Sequence, residues 1–195
     1  MNDTEPEFVM ITDPGELRAR WADLQADWAA ATARAEALPA GAVDERVAGE
    51  WSFAETLRHL VYATDAWLSR PVLGGQPAFW SAALPHSSLP DARATACGID
   101  RRAKPSWAAT RQARTERQAI VTAYVANVST TDLDRRCAAG AEPPGLGADS
   151  DTLTVGDCLN TIIEEEVAHL GYATRDLDAL EEHPTGRRRE HGSQS

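Results

Sequence analysis

Within "IEEEVAHLGYATRD" (residues 163–176), two acids and a histidine stand close enough to share one site: Glu165, Glu166 and His169. Glu166 and His169 form Glu-x-x-His, a spacing that sets both side chains on one face of a helix. Inward-facing pairs of this kind bind metals inside helical bundles. A third ligand has a candidate in His59 of "SFAETLRHL", one helical turn after Glu55. His59, Glu166 and His169 would offer two imidazole nitrogens and one carboxylate oxygen. That set suits Zn²⁺ or a Ni-like borderline divalent ion and leaves coordination positions open. A cation of this type lowers the pKa of a thiol or water and makes a nucleophile at neutral pH. Glu165 and Tyr62 are the expected proton-transfer residues, since both fall beside the ligand candidates on the helical wheel.

Each of these residues also has a plainer role. On its own, His59 reads as a helix-edge histidine hydrogen-bonded to a carboxylate. Glu166 sits near the centre of the apolar arc formed by Leu159, Ile162, Ile163, Leu170, Ala173, Leu177 and Leu180. A carboxylate placed there needs a metal, a cation or good hydrogen bonds. It is therefore either a ligand or the acceptor of an internal salt bridge, from Arg175 or from an arginine of the preceding long helix. Glu164 points away and is solvated. Cys158 reads as an inert buried thiol, and Arg175-Asp176 as a surface ion pair.

The elements that must position these groups are helical. Asp13-Pro14 is an N-cap with proline at the first helical position. Leu17, Trp21, Leu24, Trp28, Ala31, Ala35 and Leu38 then mark one apolar stripe. Ser52 and Glu55 match a capping box and open a second helix that ends near Pro71. Residues 70–104 hold four of the 11 prolines and read as a long connection with one short helix at "PDARATAC". A third long helix is expected from about Pro105 to Val128, with Trp107, Ile120, Val121, Tyr124 and Val128 as core contacts. "TTDLDRRC" adds a turn, residues 138–151 a loop, and a fourth long helix starts at Thr154 and runs to about Glu182. No strand pattern is present. The fold class is all-α, a four-helix bundle over residues 13–183. A flexible N-terminus (1–12) and a polar tail (184–195) flank it.

Composition narrows the partners. The formal net charge of -11 disfavours nucleic acid and anionic membranes, because both attract basic surfaces. The three cysteines include no CxxC pair, and the N-terminus lacks a basic start with an apolar run. These features fit a cytoplasmic protein acting on a small-molecule substrate.

"EWSFAETLRHL" (50–60), "GIDRRAKPSW" (98–107) and "EEVAHLGYATRDLDALE" (165–181) together resemble the DinB/YfiT-like superfamily, in particular its actinobacterial members. The resemblance implies a four-helix bundle, often a homodimer, with a divalent metal between helices. It also implies chemistry with low-molecular-weight thiols, mycothiol or bacillithiol, in transferases or isomerases, or metal-dependent hydrolysis. The family site uses one histidine of the second helix and two ligands four apart on the fourth. His59 matches the first, and Glu166 stands where the actinobacterial group has glutamate. The next position is Leu170, which cannot ligate, and "AHLGYA" replaces the usual "EHHRYA". Two readings follow. In one, His169 takes over as third ligand of a thiol-dependent metalloenzyme. In the other, the metal site is lost and the bundle pocket binds a small molecule or works by acid/base chemistry alone.

Overall fold

The computed structural model describes residues 9–137 and 152–182. Four long helices make the frame: α1 (Pro14–Ala37), α2 (Phe53–Thr64), α4 (Trp107–Asn127) and α6 (Val155–Glu182). Two short ones, α3 (Asp91–Ala96) and α5 (Thr130–Asp134), lie in the connections. Among the described residues there is no strand. The expected loop at 138–151 and the expected tail at 184–195 lie outside them.

The starts of the helices follow from local chemistry. The Asp13 carboxylate accepts from Glu16 N, and Ser52 and Glu55 form the expected capping box at α2. Thr154 caps α6, where its hydroxyl accepts from Asp157 N and donates to the Asp157 carboxylate. Ahead of α1, Asn160 of α6 grips the Ile11 backbone on both sides, at 2.8 and 2.9 Å.

α6 packs on α1 and α2, and α4 packs on the same two helices from the opposite side. Thus α1 faces α2 diagonally, and α4 faces α6. The whole apolar stripe of α1 from Leu17 to Ala35 is buried as expected. α4 differs from expectation. Of its expected core contacts Val121 and Val128 are buried and Trp107, Ile120 and Tyr124 only partly so, while Val125 and, in the polar first half, Thr110, Ala113, Arg114 and Arg117 are buried too. The two guanidinium groups, of Arg114 and Arg117, are paired across the bundle. Arg117 grips Asp65 through Nε at 2.8 Å and Nη2 at 3.2 Å, and Arg114 reaches Glu166 of α6.

α2 is buried at every position except Glu55, not along one face alone. A helix between two packed helices and a folded-back connection has no solvent side. The third partner is the proline-rich segment 70–104, which is ordered and supplies core residues of its own. Ala83, Leu89, Ala94 and Ile99 pack with Val61, Tyr62 and Ala66 in a separate apolar cluster. α2 passes into a wider π turn at Asp65–Ser69 before the chain leaves the bundle.

Candidate metal centre

α2 and α6 pack directly on each other, and at their contact stand His59, Glu165 and His169. His59 Nε2 lies 3.1 Å from Glu165 Oε2, and His169 Nδ1 lies 3.3 Å from the same oxygen. The imidazole centroids are 4.6 Å apart. One donor atom from each residue falls within 4.8 Å of the others.

The hydrogen bonds set the tautomers. His59 Nδ1 is 2.9 Å from Leu84 O, and His169 Nδ1 is 2.8 Å from Glu165 O. A carbonyl oxygen only accepts, so both Nδ1 atoms carry the proton, and each Nε2 keeps its lone pair. Backbone carbonyls orient metal-ligating histidines in this way. His59 Nε2 then faces a carboxylate oxygen, which also only accepts. Either a second proton or a cation must lie between them. A divalent cation satisfies this donor set of two neutral imidazoles and one carboxylate, so the residues fit a metal.

The surroundings tune the same groups. Burial pushes the Glu165 carboxyl up, but the hydrogen bond from His59 and the charges of His59, His169 and His86 outweigh it. The carboxyl is held below its ordinary range. Burial and the His59 charge together lower the His169 pKa from its ordinary 6.5. Unfolded His169 therefore takes up a proton before the folded residue does, and acid favours unfolding as pH falls through that ordinary value. Glu165 acts in the same direction further down. Its contribution is present above its ordinary 4.5 and is lost as pH falls through the lower folded value. The melting temperature of chelator-treated protein is expected to fall between about pH 7 and about pH 4. In His169→Gln the upper part of that fall should disappear. An unchanged profile in the variant would contradict the assignment.

Trp51 closes the cluster from outside, with its ring 4.8 Å from that of His59 and stacked on His169 at 6.2 Å. A cavity of about 510 Å³ opens there, lined by Glu50, Trp51, Ser87, His169, Tyr172 and Arg175 among others. Ser87 and Leu84 belong to the long connection, which thus forms part of the site wall. Tyr62, expected to assist proton transfer, lies with its ring 6.0 Å from His59 and stacked on Phe79. Burial pushes its pKa up to about 12.

The cluster differs from the expected ligand set at one position. His59 and His169 come together, but the acid beside them is Glu165, one of the two expected proton-transfer residues. Glu166 is 1% exposed and points into the bundle centre, where Arg114 Nη2 meets it at 2.5 Å. That is the salt bridge from an arginine of the third long helix weighed from the sequence. Leu170 is partly buried against two of the apolar clusters. Glu164 is exposed. Glu165 and His169 are four residues apart, the spacing implied by the resemblance, shifted by one position from 166/170. That i,i+4 Glu–His pair was the sequence signal for this acid. Arg175 is ion-paired to Asp176 at 2.7 Å and lies over the Tyr172 ring. Cys158 is buried 3.6 Å from Cys137 Sγ, and burial raises both thiol pKa values, so both keep their protons at neutral pH.

No helix among the described residues is long and apolar enough to cross a membrane. No curated protein and no solved structure matches the chain. The family model of the DinB superfamily matches residues 23–173, a span that includes most of α1 and the whole His59–Glu165–His169 cluster. The chain belongs to the DinB superfamily.

Proposed function

We propose that the protein is a metal-dependent enzyme of the DinB type that joins a low-molecular-weight thiol, such as mycothiol, to a small electrophile or isomerises the adduct. The observation that carries the metal part is the convergence of His59, Glu165 and His169, with both Nδ1 atoms held by carbonyls. A divalent cation bound there supplies a lowered pKa to a thiol or water in its open positions. The thiol part rests on the family resemblance and on the size of the adjoining cavity, which lies within the range of small-molecule sites.

The chain's own residues have defined tasks in this reading. Leu84 O fixes the His59 ring, and Glu165 O fixes that of His169. Trp51 shields both rings from water. Tyr62, with its pKa near 12, holds its proton at neutral pH and so acts as a donor rather than a base. Arg175 and Tyr172 stand at the cavity wall, where they meet the polar body of the thiol.

The test is consumption of mycothiol and an electrophilic substrate such as a chlorinated arene by the zinc-loaded full chain. Turnover that chelator and His59→Ala both abolish is the expected result. Metal-loaded protein that consumes no thiol with any electrophile contradicts the thiol reading. The second reading, a metal-free pocket, is favoured by one observation: Leu170 is an apolar side chain packed against two core clusters, so family-type ligation at that position is gone. It requires that substrate binding persist in chelator and in His59→Ala.

A further inference from the structure

A second cavity, of about 420 Å³, shares no lining residue with the one at the His59 cluster. Its wall includes Ser52, Glu55 and Arg58 of the α2 start, Lys104 and Thr110 of the α4 start, and Asp44. The first turns of two long helices converge there. Each carries backbone N–H groups without helical partners and a partial positive charge.

Independent of those termini, the wall holds two buried polar side chains, each with an atom that has no partner. Arg58 is 7% exposed. Among the described residues its side chain makes one hydrogen bond, from Nε to Ala82 O at 2.7 Å, and its Nη2 is buried with no partner. No carboxylate among the described residues forms an ion pair with it. On the facing helix, Thr110 is 1% exposed, and its Oγ1 also has no partner. A buried cation without a counterion is costly, and an arginine cannot escape the cost by losing its proton.

The nearby charges leave the cavity cationic. Glu55 is claimed by Arg46 through two hydrogen bonds, at 2.8 and 2.6 Å, and by Ser52 N at 3.0 Å. Asp100 and Glu55 act on Arg58 only through space, and burial outweighs them. Lys104 and Asp44 are exposed at the rim. We propose that this cavity is an oxyanion site, holding the phosphate or carboxylate group of a small molecule against Arg58, Lys104, Thr110 and the first turns of α2 and α4. A guanidinium fork, a hydroxyl and helix N-termini are the groups that recognise such oxygens. The cavity is larger than a bare oxyanion needs, so the natural ligand carries an organic body as well.

The experiment is calorimetric titration of the full chain with inorganic phosphate and, separately, with acetate. Both are run against chloride at equal ionic strength, with chelator present so that the His59 cluster holds no cation. One anion per chain is expected, about tenfold weaker in Lys104→Ala, whose side chain is exposed and whose loss leaves the fold intact. Thr110→Val should weaken binding while leaving the melting temperature of the free protein equal or higher, because its hydroxyl has no partner to lose. Arg58→Gln should remove binding. Preference for phosphate or for acetate, with the same dependence on the variants, supports the site and assigns the group it takes. Binding no better than chloride, or equal in Lys104→Ala, Thr110→Val and wild type, overturns it.

Discussion

Arg114→Ala is expected to lower the unfolding free energy by about 3–5 kcal/mol, the cost of leaving a buried charge without its partner. The Arg114–Glu166 pair spans the bundle diagonal from α4 to α6, and the side chains are 4% and 1% exposed. Arg114 also lies over the Trp28 ring at 5.6 Å, so its loss opens a gap beside α1. Its Nε and Nη1, and Glu166 Oε1, are buried without partners, so the pair is held by a single charged hydrogen bond. Replacing both ends by apolar residues should therefore recover most of the loss, as in Arg114→Met with Glu166→Leu. Urea unfolding checks both statements, with the slope expected to stay unchanged. A loss below about 1 kcal/mol in Arg114→Ala would place the pair in the class of solvent-screened surface bridges.

The neighbouring acid should behave in the opposite way. Glu165→Gln is expected to weaken Zn²⁺ binding by at least about 100-fold, more than the loss typical of an outer-shell partner. It should lower the stability of the metal-free protein by less than Glu166→Gln does, because the Glu165 side chain is 30% exposed and that of Glu166 only 1%. Glu166→Gln should leave Zn²⁺ affinity close to wild type and lower stability instead. Competition with a chromophoric chelator gives the affinities, and thermal melts give the stabilities. Equal loss of affinity in both variants would mean that the two acids share the metal.

The contrast shows how far the sequence carries. The caps at Asp13, Ser52 and Thr154, the stripe on α1 and the extents of the four long helices were legible because each is written in local spacing. The choice between Glu165 and Glu166 was not. Helix direction on a wheel is measured against one apolar arc, but α6 touches α1 on one side and α2 on the other. The site faces α2, off the centre of the arc, while the centre faces α4 across the bundle. Glu166 is more deeply buried for that reason and was the more conspicuous acid. The burial of Arg114, Arg117 and Arg58 was hidden too. Arginine in a polar half-helix signals solvent unless its distant partner is known, and Asp65, Glu166 and Ala82 come from other parts of the chain. The connection was legible as long and proline-rich, yet nothing in its composition announced that Leu84 O would anchor His59.

The most direct test of the metal centre is elemental mass spectrometry of the purified full chain, dialysed against divalent ions without chelator, beside His59→Ala and Glu165→Gln. The geometry of His59, Glu165 and His169 predicts about one cation per chain in wild type and near none in either variant. Wild-type protein without metal, or a His59→Ala variant that keeps it, would contradict a metal centre at this cluster.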